Sequence, residues 1–415
     1  MQILNTISNQ QLSEMVTLSD EERITTTTHS QNSDPISRYL NQVLTHAINK
    51  NASDIHFEPY EKTYRIRLRC DGVLSEIQSP DLQLANRLSS KVKVLANLDI
   101  AEKRLPQDGR FKFTLISNQT VDIRVSTLPT LWGEKVVLRL LETQTIPLEI
   151  DKLGFISAQQ DLFLSAIHKP QGLILITGPT GSGKTVSLYT ALNIVNTPDK
   201  NISTVEDPVE INLLGINQVQ INEKIELNFV ATLKALLRQD PDIIMVGEIR
   251  DIESTQIVIK AAQTGHLVLA TLHTNSACET LTRLINMGAD KHCLASCLSI
   301  IVAQRLIRKL CPICKEIDND STLALSNELQ PSNVIYQANN SGCPECINGY
   351  SGRTALYEIL NVNRTIIEAI ESEASAFNIE KSASEQQFIS IKEAGKIKLL
   401  QGITSIDELH RVLIY

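Results

Sequence analysis

The sequence predicts an α/β protein built around a P-loop domain, with a smaller α+β domain before it, a tetracysteine insert and a helical C-terminus after it. The first observation is a glycine-rich turn, Gly178-Pro-Thr-Gly-Ser-Gly-Lys-Thr185. Residues 172–177 before it are apolar enough for a buried parallel strand, and residues 186–195 after it have helical spacing of apolar side chains. The second observation is that strand and helix patterns keep alternating after this turn, which implies a mostly parallel sheet.

The glycine-rich turn has the composition of a phosphate-binding loop. Glycines let backbone N–H groups turn inward and cradle phosphates at a helix N-terminus. In such a loop Lys184 reaches the β- and γ-phosphates, and the Thr185 hydroxyl ligates Mg²⁺. A chance glycine-rich turn is the alternative, and the flanking strand and helix argue against it. The predicted nucleotide-binding residues are Gly178, Pro179, Thr180, Gly181, Ser182, Gly183, Lys184 and Thr185.

Composition limits the function. The chain has 415 residues, which suggests two or three domains, and 42% of them are hydrophobic. The formal net charge of −8 argues against a general nucleic-acid binder. No stretch approaches the ~20 apolar residues of a membrane span, and no basic flank followed by an apolar core marks a secretory signal. We therefore expect a cytoplasmic protein that acts at a membrane through partners.

The pattern along the chain predicts six segments. Asp34-Pro35 offers the capping carboxylate and the first-turn proline with which helices begin. Strict alternation places Arg65, Arg67 and Arg69 on one face of a strand. The predicted segments are a flexible tail (1–34), an α+β domain (35–142), a linker (143–153), an ATPase domain (154–305), the tetracysteine insert (306–354) and a helical C-terminal domain (355–415).

Four of the eight cysteines form two Cys-x-x-Cys pairs. They are Cys311 with Cys314 and Cys343 with Cys346. In a reducing compartment this pattern is typical of a zinc ribbon, in which four thiolates hold one tetrahedral ion. Disulfides or idle thiols are the alternatives. The predicted role of zinc is structural, since four thiolates leave no open position for catalysis.

Carboxylates follow two of the predicted strands. Glu248 comes just after the apolar run 243–246, at the carboxyl end where ligands bind in open α/β sheets. A carboxylate there can orient and activate the attacking water. Gly247 holds the position of the usual Walker B aspartate, so a further acidic group should help with Mg²⁺. The candidates, for which a solvated acidic loop is the alternative, are Glu206, Asp207 and Glu210.

A third strand is predicted over residues 267–272, with a histidine at each end. His266 and His273 are therefore candidates to sense the γ-phosphate. Two histidines satisfied by hydrogen bonds at the ends of a core strand are the alternative. Arg250 lies two residues after the Glu248 carboxylate and is a further candidate.

These segments together resemble the type II/IV secretion ATPase family. Residues 178–185 look like its Walker A motif, 204–210 its Asp box, 237–251 its Walker B signature and 264–274 its His box. The resemblance also covers the second N-terminal domain of the family. It implies a homohexameric ring of RecA-like domains, with ATP between the two domains of one chain and hydrolysis turning an inner-membrane platform protein. Arg104, Arg110, Arg124 and Arg139 match family positions at the domain interface, which implies that they close over the phosphates.

Within the family, the tetracysteine insert is similar to assembly-type ATPases, and type IV pilus assembly is the expected function. The type II secretion ATPase is a near alternative, and a DNA-handling motor for DNA uptake or conjugation is a more distant one. No direct contact with nucleic acid is expected. Relatives carry a further N-terminal domain that docks on a cytoplasmic partner. Fewer than forty residues precede the matched region here, which leaves that partner open.

Overall fold

The computed structural model describes residues 34–115, 117–141, 148–320, 334–372, 374–385 and 388–413. These residues form two compact units. The first lies within Met1–Thr145 and includes Gly342–Asn348, and the second lies within Ile146–Ser341 and Gly349–Tyr415. The predicted flexible tail lies outside the described residues except for Asp34, and residues 143–147 of the predicted linker lie outside them as well. The rest of that segment is described and contains a short helix, Ile150–Leu153.

In the residues that the structure describes, the first unit is a six-stranded sheet with two helices. As the sequence predicts, the first helix begins at Asp34, whose carboxylate accepts hydrogen bonds from the backbone N–H groups of Ile36 (3.2 Å) and Ser37 (3.3 Å). The sheet order is β3-β2-β1-β6-β5-β4, with antiparallel neighbours throughout. The elements are α1 (Pro35–Asn49), β1 (Ala52–Pro59), β2 (Tyr64–Cys70), β3 (Val73–Gln78), α2 (Leu84–Leu95), β4 (Gln107–Thr114), β5 (Thr120–Thr130) and β6 (Gly133–Leu141).

The second unit is built on a seven-stranded sheet. Its strands are β7 (Gly172–Thr177), β8 (Ile202–Glu206), β9 (Asn217–Gln220), β10 (Ile243–Val246), β11 (Leu267–Leu272), β12 (Leu298–Leu310) and β15 (Tyr350–Asn361). Two short strands, β13 (Glu316–Ile317) and β14 (Tyr336–Gln337), pair with each other near the cysteines. The helices are α3 (Ile150–Leu153), α4 (Ser157–Ile167), α5 (Lys184–Val195), α6 (Phe229–Leu236), α7 (Ile252–Gln263), α8 (Ala277–Asn286), α9 (Lys291–Cys297), α10 (Arg364–Glu371), α11 (Ala376–Ser384), α12 (Ile391–Leu400) and α13 (Ile406–Val412).

The order of this sheet is β15-β12-β7-β11-β10-β8-β9, and all neighbours are parallel except β12 and β15. Every residue of β7, β8, β10 and β11 is buried, as continuous apolar runs predict for a sheet covered on both faces. The predicted α/β class with a parallel sheet is therefore confirmed. Because the parallel strands share one direction, their carboxyl ends meet at a single edge of the sheet.

The structure differs from the sequence analysis at residues 355–361. These residues, assigned above to the helical C-terminus, belong to β15, which pairs antiparallel with β12 from Ile300–Asn361 to Leu310–Tyr350. An apolar run such as Ala355-Leu-Tyr-Glu-Ile-Leu360 has no periodicity that separates a buried strand from a buried helix. In the described part of the segment after β15 there are four helices, so the helical C-terminus begins later than predicted. Among the described residues, no helix is both long and apolar enough to span a bilayer.

Candidate active site

The glycine-rich loop joins β7 to α5, in the order that the sequence predicts. Gly178, Gly181 and Gly183 all have positive φ values, of 148°, 77° and 89°. A side chain on Gly178 would come within 2.4 Å of the carbonyl oxygen of Gln304, and one on Gly183 within 2.8 Å of its amide nitrogen. A side chain on Gly181 would meet no atom within 4 Å of its Cβ. Backbone conformation therefore demands glycine at all three positions, and close packing against Gln304 adds to this demand at two of them.

Lys184 is the first residue of α5 and folds back over the loop. Its Nζ donates hydrogen bonds to the carbonyl oxygens of Gly178 (2.8 Å) and Pro179 (3.2 Å). Burial lowers the pKa of Lys184; the charge of Glu248 opposes this effect and that of Arg305 adds to it. A partly buried ammonium bonded only to neutral carbonyl groups is a suitable partner for a phosphate oxygen.

The floor of the loop is tied to the end of β11. The hydroxyl groups of Thr177 and Thr274 share a hydrogen bond of 2.6 Å, and the Thr274 N–H donates to the Thr177 hydroxyl at 2.9 Å. The Thr274 hydroxyl is also 2.6 Å from that of Thr280 in α8. This chain of hydroxyl groups fixes the P-loop strand relative to the segment that follows His273.

Four of the predicted catalytic residues lie together at the carboxyl edge of the sheet. Glu248 accepts from Arg250 Nε at 3.0 Å and lies 3.2 Å from His273 Nε2. The Arg250 guanidinium also reaches Asp207 at 3.6 Å. The Glu248 side chain keeps 26% of its surface exposed. A carboxylate held from two sides and open to solvent can accept a proton from a water molecule or orient it.

The tight packing around Gly247 fits the presence of glycine, and not aspartate, at the usual Walker B position. A side chain there would approach the Val205 carbonyl oxygen to 3.1 Å and the Glu206 Cα to 3.4 Å. The neighbouring hydroxyl of Thr271 donates to the Gly247 carbonyl oxygen. A side chain at this position would therefore be tightly packed against β8 and would require a small shift of that strand.

Glu206 and Glu210 lie differently from Glu248. Glu206 is buried and accepts from Thr204 Oγ1 (2.5 Å), Gln218 Nε2 (3.1 Å) and the Tyr189 hydroxyl. Burial and this contact raise the pKa of Tyr189. Glu210 is exposed, and its backbone N–H donates to the Tyr189 hydroxyl at 3.3 Å. The structure thus places Glu206 in a closed hydrogen-bond network rather than in the open cluster.

His266 is not brought to this cluster. It precedes β11, whereas His273 follows it, and seven residues of strand span about 23 Å. The His266 Nδ1 lies 2.9 Å from the Ala261 carbonyl oxygen, and its own carbonyl oxygen accepts from Gly172 N at 3.1 Å. These contacts are those of a histidine that ends a core strand.

The four predicted arginines belong to the first unit. Arg104 binds the Glu102 carboxylate through Nε (3.1 Å) and Nη2 (2.8 Å). The other three form a cross-strand row, because Arg124 on β5 is directly opposite both Arg110 on β4 and Arg139 on β6. Arg139 Nε donates to Asp54 at 3.0 Å. Among the residues that the structure describes, Arg110 and Arg124 have no ion-pair partner, so this row carries uncompensated positive charge.

The three arginines that alternate along β2 have partners of their own. Arg67 binds the Glu58 carboxylate through two nitrogens at 2.8 and 2.9 Å, and Arg65 approaches the same carboxylate at 3.3 Å. Burial tends to raise the pKa of Glu58, but hydrogen bonds from Arg67 and Lys135 outweigh this effect and hold the pKa at about 2. Arg69 donates to the Gly72 carbonyl oxygen at 2.9 Å.

The four predicted metal ligands come together. The Sγ atoms of Cys311, Cys314, Cys343 and Cys346 all lie within 4.8 Å of one another. The Cys343 N–H donates to Cys346 Sγ at 3.1 Å. Tetrahedral zinc with Zn–S bonds of about 2.3 Å needs sulfur atoms roughly 4 Å apart, so this donor set fits the ion.

Sequence reasoning missed Gln304 and Arg305. Gln304 is buried, and its Oε1 accepts from the Ser187 hydroxyl at 2.9 Å. Arg305 is partly buried and donates through Nη2 to the carbonyl and side-chain oxygens of Asn275, at 3.1 and 3.0 Å. The sequence does contain a pattern that could have identified them. Both polar residues directly follow the apolar run Ile300-Ile-Val-Ala303, much as Glu248 follows the apolar run 243–246.

Comparison with known proteins identifies the family. A family model described as type II/IV secretion system protein matches residues 29–411. The type IV pilus assembly ATPase PilB of Pseudomonas aeruginosa is 51% identical over 381 residues, which are 91% of this chain and 67% of that protein. The type II secretion system protein E of Aeromonas hydrophila is 46% identical over 382 residues, 91% of this chain and 75% of that protein.

A solved structure matches as well. The pilus retraction motor PilT with bound ADP superposes with a TM-score of 0.58 at 25% identity, over 90% of this chain and 96% of that one. The chain spans about two thirds of the length of the Pseudomonas relative. The family match covers the P-loop, the Glu248 cluster and the tetracysteine cluster together. This chain therefore belongs to the type II/IV secretion system protein family, and it is an ATPase of that family.

Proposed function

We propose that this protein hydrolyses ATP to power type IV pilus assembly at the inner membrane. The observation that carries the proposal is the Glu248 carboxylate, held by Arg250 and His273 at the sheet edge that also carries the P-loop. The pilus function rests on the 51% identity to a pilus assembly ATPase, against 46% to a type II secretion protein.

The roles of the residues follow from their positions. The backbone N–H groups of the glycine-rich loop and Lys184 would bind the phosphates, and Glu248 would orient the attacking water. His273 lies beside Glu248 and would sense whether the terminal phosphate is present. Glu206 would support this edge of the sheet through Tyr189 and Gln218.

Mg²⁺ would be held by the Thr185 hydroxyl together with the phosphates and water. Thr185 is partly buried in the first turn of α5, directly after Lys184. Gly247 supplies no carboxylate at the usual second position, so the nearby Asp207 would act on the ion through water. The ion would bridge phosphate oxygens and neutralise the developing charge.

The working assembly would be a homohexamer that acts on an inner-membrane platform protein from the cytoplasmic side. This arrangement is what the family resemblance implies, and it also covers the near alternative, type II secretion. Direct nucleic-acid contact is not part of the proposal, because the chain carries a net charge of −8.

The test is to delete the gene and score surface pili and protein secretion separately, with complementation by wild type and by Glu248→Gln. Loss of pili, restored by wild type alone, would support the proposal. Normal pili with trapped secreted proteins would assign the chain to type II secretion. Purified protein whose turnover depends on added DNA would instead support the DNA-handling motor.

The tetracysteine cluster is proposed to bind one structural zinc ion. Metal analysis of purified protein should find about one zinc per chain, and Cys314→Ser should lose it, because three thiolates hold the ion far less tightly. Cys293→Ser, at a partly exposed cysteine outside the cluster, is the control and should keep the metal. A metal-free wild type with four freely reactive thiols would disprove the site.

The arginine row on the first unit is proposed to bind phosphate oxygens of ATP, and Arg124→Ala tests it. Arg124 faces like charges on both neighbouring strands, so its removal should leave the stability unchanged or raise it by a few tenths of a kcal/mol. Turnover should nevertheless fall at least about tenfold, because a charge on the ligand loses its partner.

Lys112→Ala is the matched control for the row, since Lys112 lies two residues from Arg110 on the same strand and pairs with Asp122 at 4.0 Å. Turnover and thermal stability are measured on each variant. Parallel alanine variants of Arg104, Arg110 and Arg139 complete the set. If none of the four lowers turnover or ATP affinity, the row is only a solvated strand face.

A further inference from the structure

Arg305 is a cation that has no role in the proposed binding and hydrolysis of ATP. It lies on β12, which runs parallel to β7 with Ala303 opposite Thr177. The next residues of β12 therefore continue beside the start of the P-loop. The close approach of the Gln304 carbonyl oxygen to Gly178 shows that they do. Arg305 thus stands level with the phosphate-binding loop.

The hydrogen bonds of Arg305 go to neutral groups. Its Nη1 donates to the Gln304 carbonyl oxygen at 3.3 Å, and its Nη2 donates to the two oxygens of Asn275. Within the described ranges, it forms no ion pair with a carboxylate, although the charges of Glu358 and Glu279 oppose the lowering of its pKa by burial. Arginines that are partly buried usually have such a partner, because desolvation of an unpaired charge is costly.

A second cation is close by. Lys184 is near enough for the Arg305 charge to lower its pKa, and its Nζ is likewise bonded only to carbonyl oxygens. Two partly buried cations that repel each other, and whose hydrogen bonds go to neutral acceptors, favour the binding of an anion between them. Glu248 is the carboxylate that acts on Lys184, and it is already held by Arg250 and His273.

We propose that Arg305 contacts the terminal phosphate of bound ATP and reports its presence to the loop after β11. Asn275 is the connection: it binds Arg305 and stands two residues after His273, which in turn contacts Glu248. A guanidinium can keep one N–H pair on Asn275 while another meets a phosphate oxygen. This inference rests on the proposed ATP hydrolysis and adds to it a residue that distinguishes ATP from ADP.

The experiment compares affinities for ADP and for a non-hydrolysable ATP analogue, both with Mg²⁺, by displacement of a fluorescent ADP analogue. Arg305→Gln keeps hydrogen-bonding capacity toward Asn275 and removes the charge. We expect it to weaken binding of the ATP analogue at least about tenfold and to leave ADP affinity within about twofold, since only ATP has the terminal phosphate. Arg305→Lys should recover part of the loss, because the charge returns without the planar fork.

Lys309→Gln is the matched control, because Lys309 is exposed, lies four residues along β12 and should have no effect. Unchanged affinity for the ATP analogue in Arg305→Gln would overturn the inference. Equal loss for both nucleotides in both Arg305 variants would also overturn it, since the residue would then support the loop rather than read the phosphate. Lys184→Ala separates the two claims: if it binds ADP and the ATP analogue as tightly as the wild type, the nucleotide site itself is wrong.

Discussion

Lys184→Ala should abolish nucleotide-dependent turnover. In the structure the ammonium bonds only to the carbonyl oxygens of Gly178 and Pro179, so it is free to move to a phosphate when ATP arrives. It brings a full positive charge to the β- and γ-phosphates, where it offsets the negative charge that develops as the terminal bond breaks. Turnover by the purified variant should fall by at least about two orders of magnitude.

The fold should tolerate this change. The substitution removes two hydrogen bonds to neutral acceptors, and it also removes the repulsion between Lys184 and Arg305. We therefore expect the free energy of unfolding to change by no more than about 1 kcal/mol. Lys200→Ala, at an exposed loop position, is the control and should turn over ATP normally. Wild-type turnover in Lys184→Ala would disprove the assignment of residues 178–185 as a phosphate-binding loop.

Much of the second unit could be predicted because its signals are local. The β7 run, the glycine-rich turn and the α5 pattern are contiguous, and each specifies one element. The carboxyl ends of parallel strands meet at one edge of the sheet, which places Glu248 and His273 near the loop whichever strands lie between them. The direction of β11 also separates His273 from His266, since His273 follows the carboxyl end of the strand and His266 precedes its other end. Only the carboxyl end of a parallel strand faces the ligand.

Other features depend on contacts that no local pattern contains. Glu206 and Asp207 are adjacent in the chain, yet one is closed in by Tyr189 and Gln218 while the other faces Arg250. The partners come from distant segments, so the sequence could not rank the two carboxylates. The arginine row required strand register, which sets Arg124 opposite its neighbours and cannot be read from alternation within one strand.

Glu248→Gln should preserve ATP binding and lower hydrolysis by about a hundredfold or more, the usual contribution of a general base or water-orienting group. The amide keeps the shape of the side chain and can still accept from Arg250 Nε, whose bond to Glu248 is 3.0 Å. It loses the charge that orients water and attracts the proton. Nucleotide affinity and single-turnover hydrolysis, measured on the same preparation, separate the two effects.

Glu206→Gln and Asp207→Asn are the informative comparisons. Glu206 accepts from three donors, so an amide there must direct an N–H group toward one of them, and we expect a loss of stability of about 1–3 kcal/mol. Asp207 is exposed and 3.6 Å from Arg250, so its amide should change turnover only modestly. If folded Glu206→Gln lost more turnover than Glu248→Gln, the base would have to be reassigned to the end of β8. The closed set of donors around Glu206 argues against that outcome, because the buried carboxylate already accepts from three protein groups and leaves a water molecule little access to its oxygens.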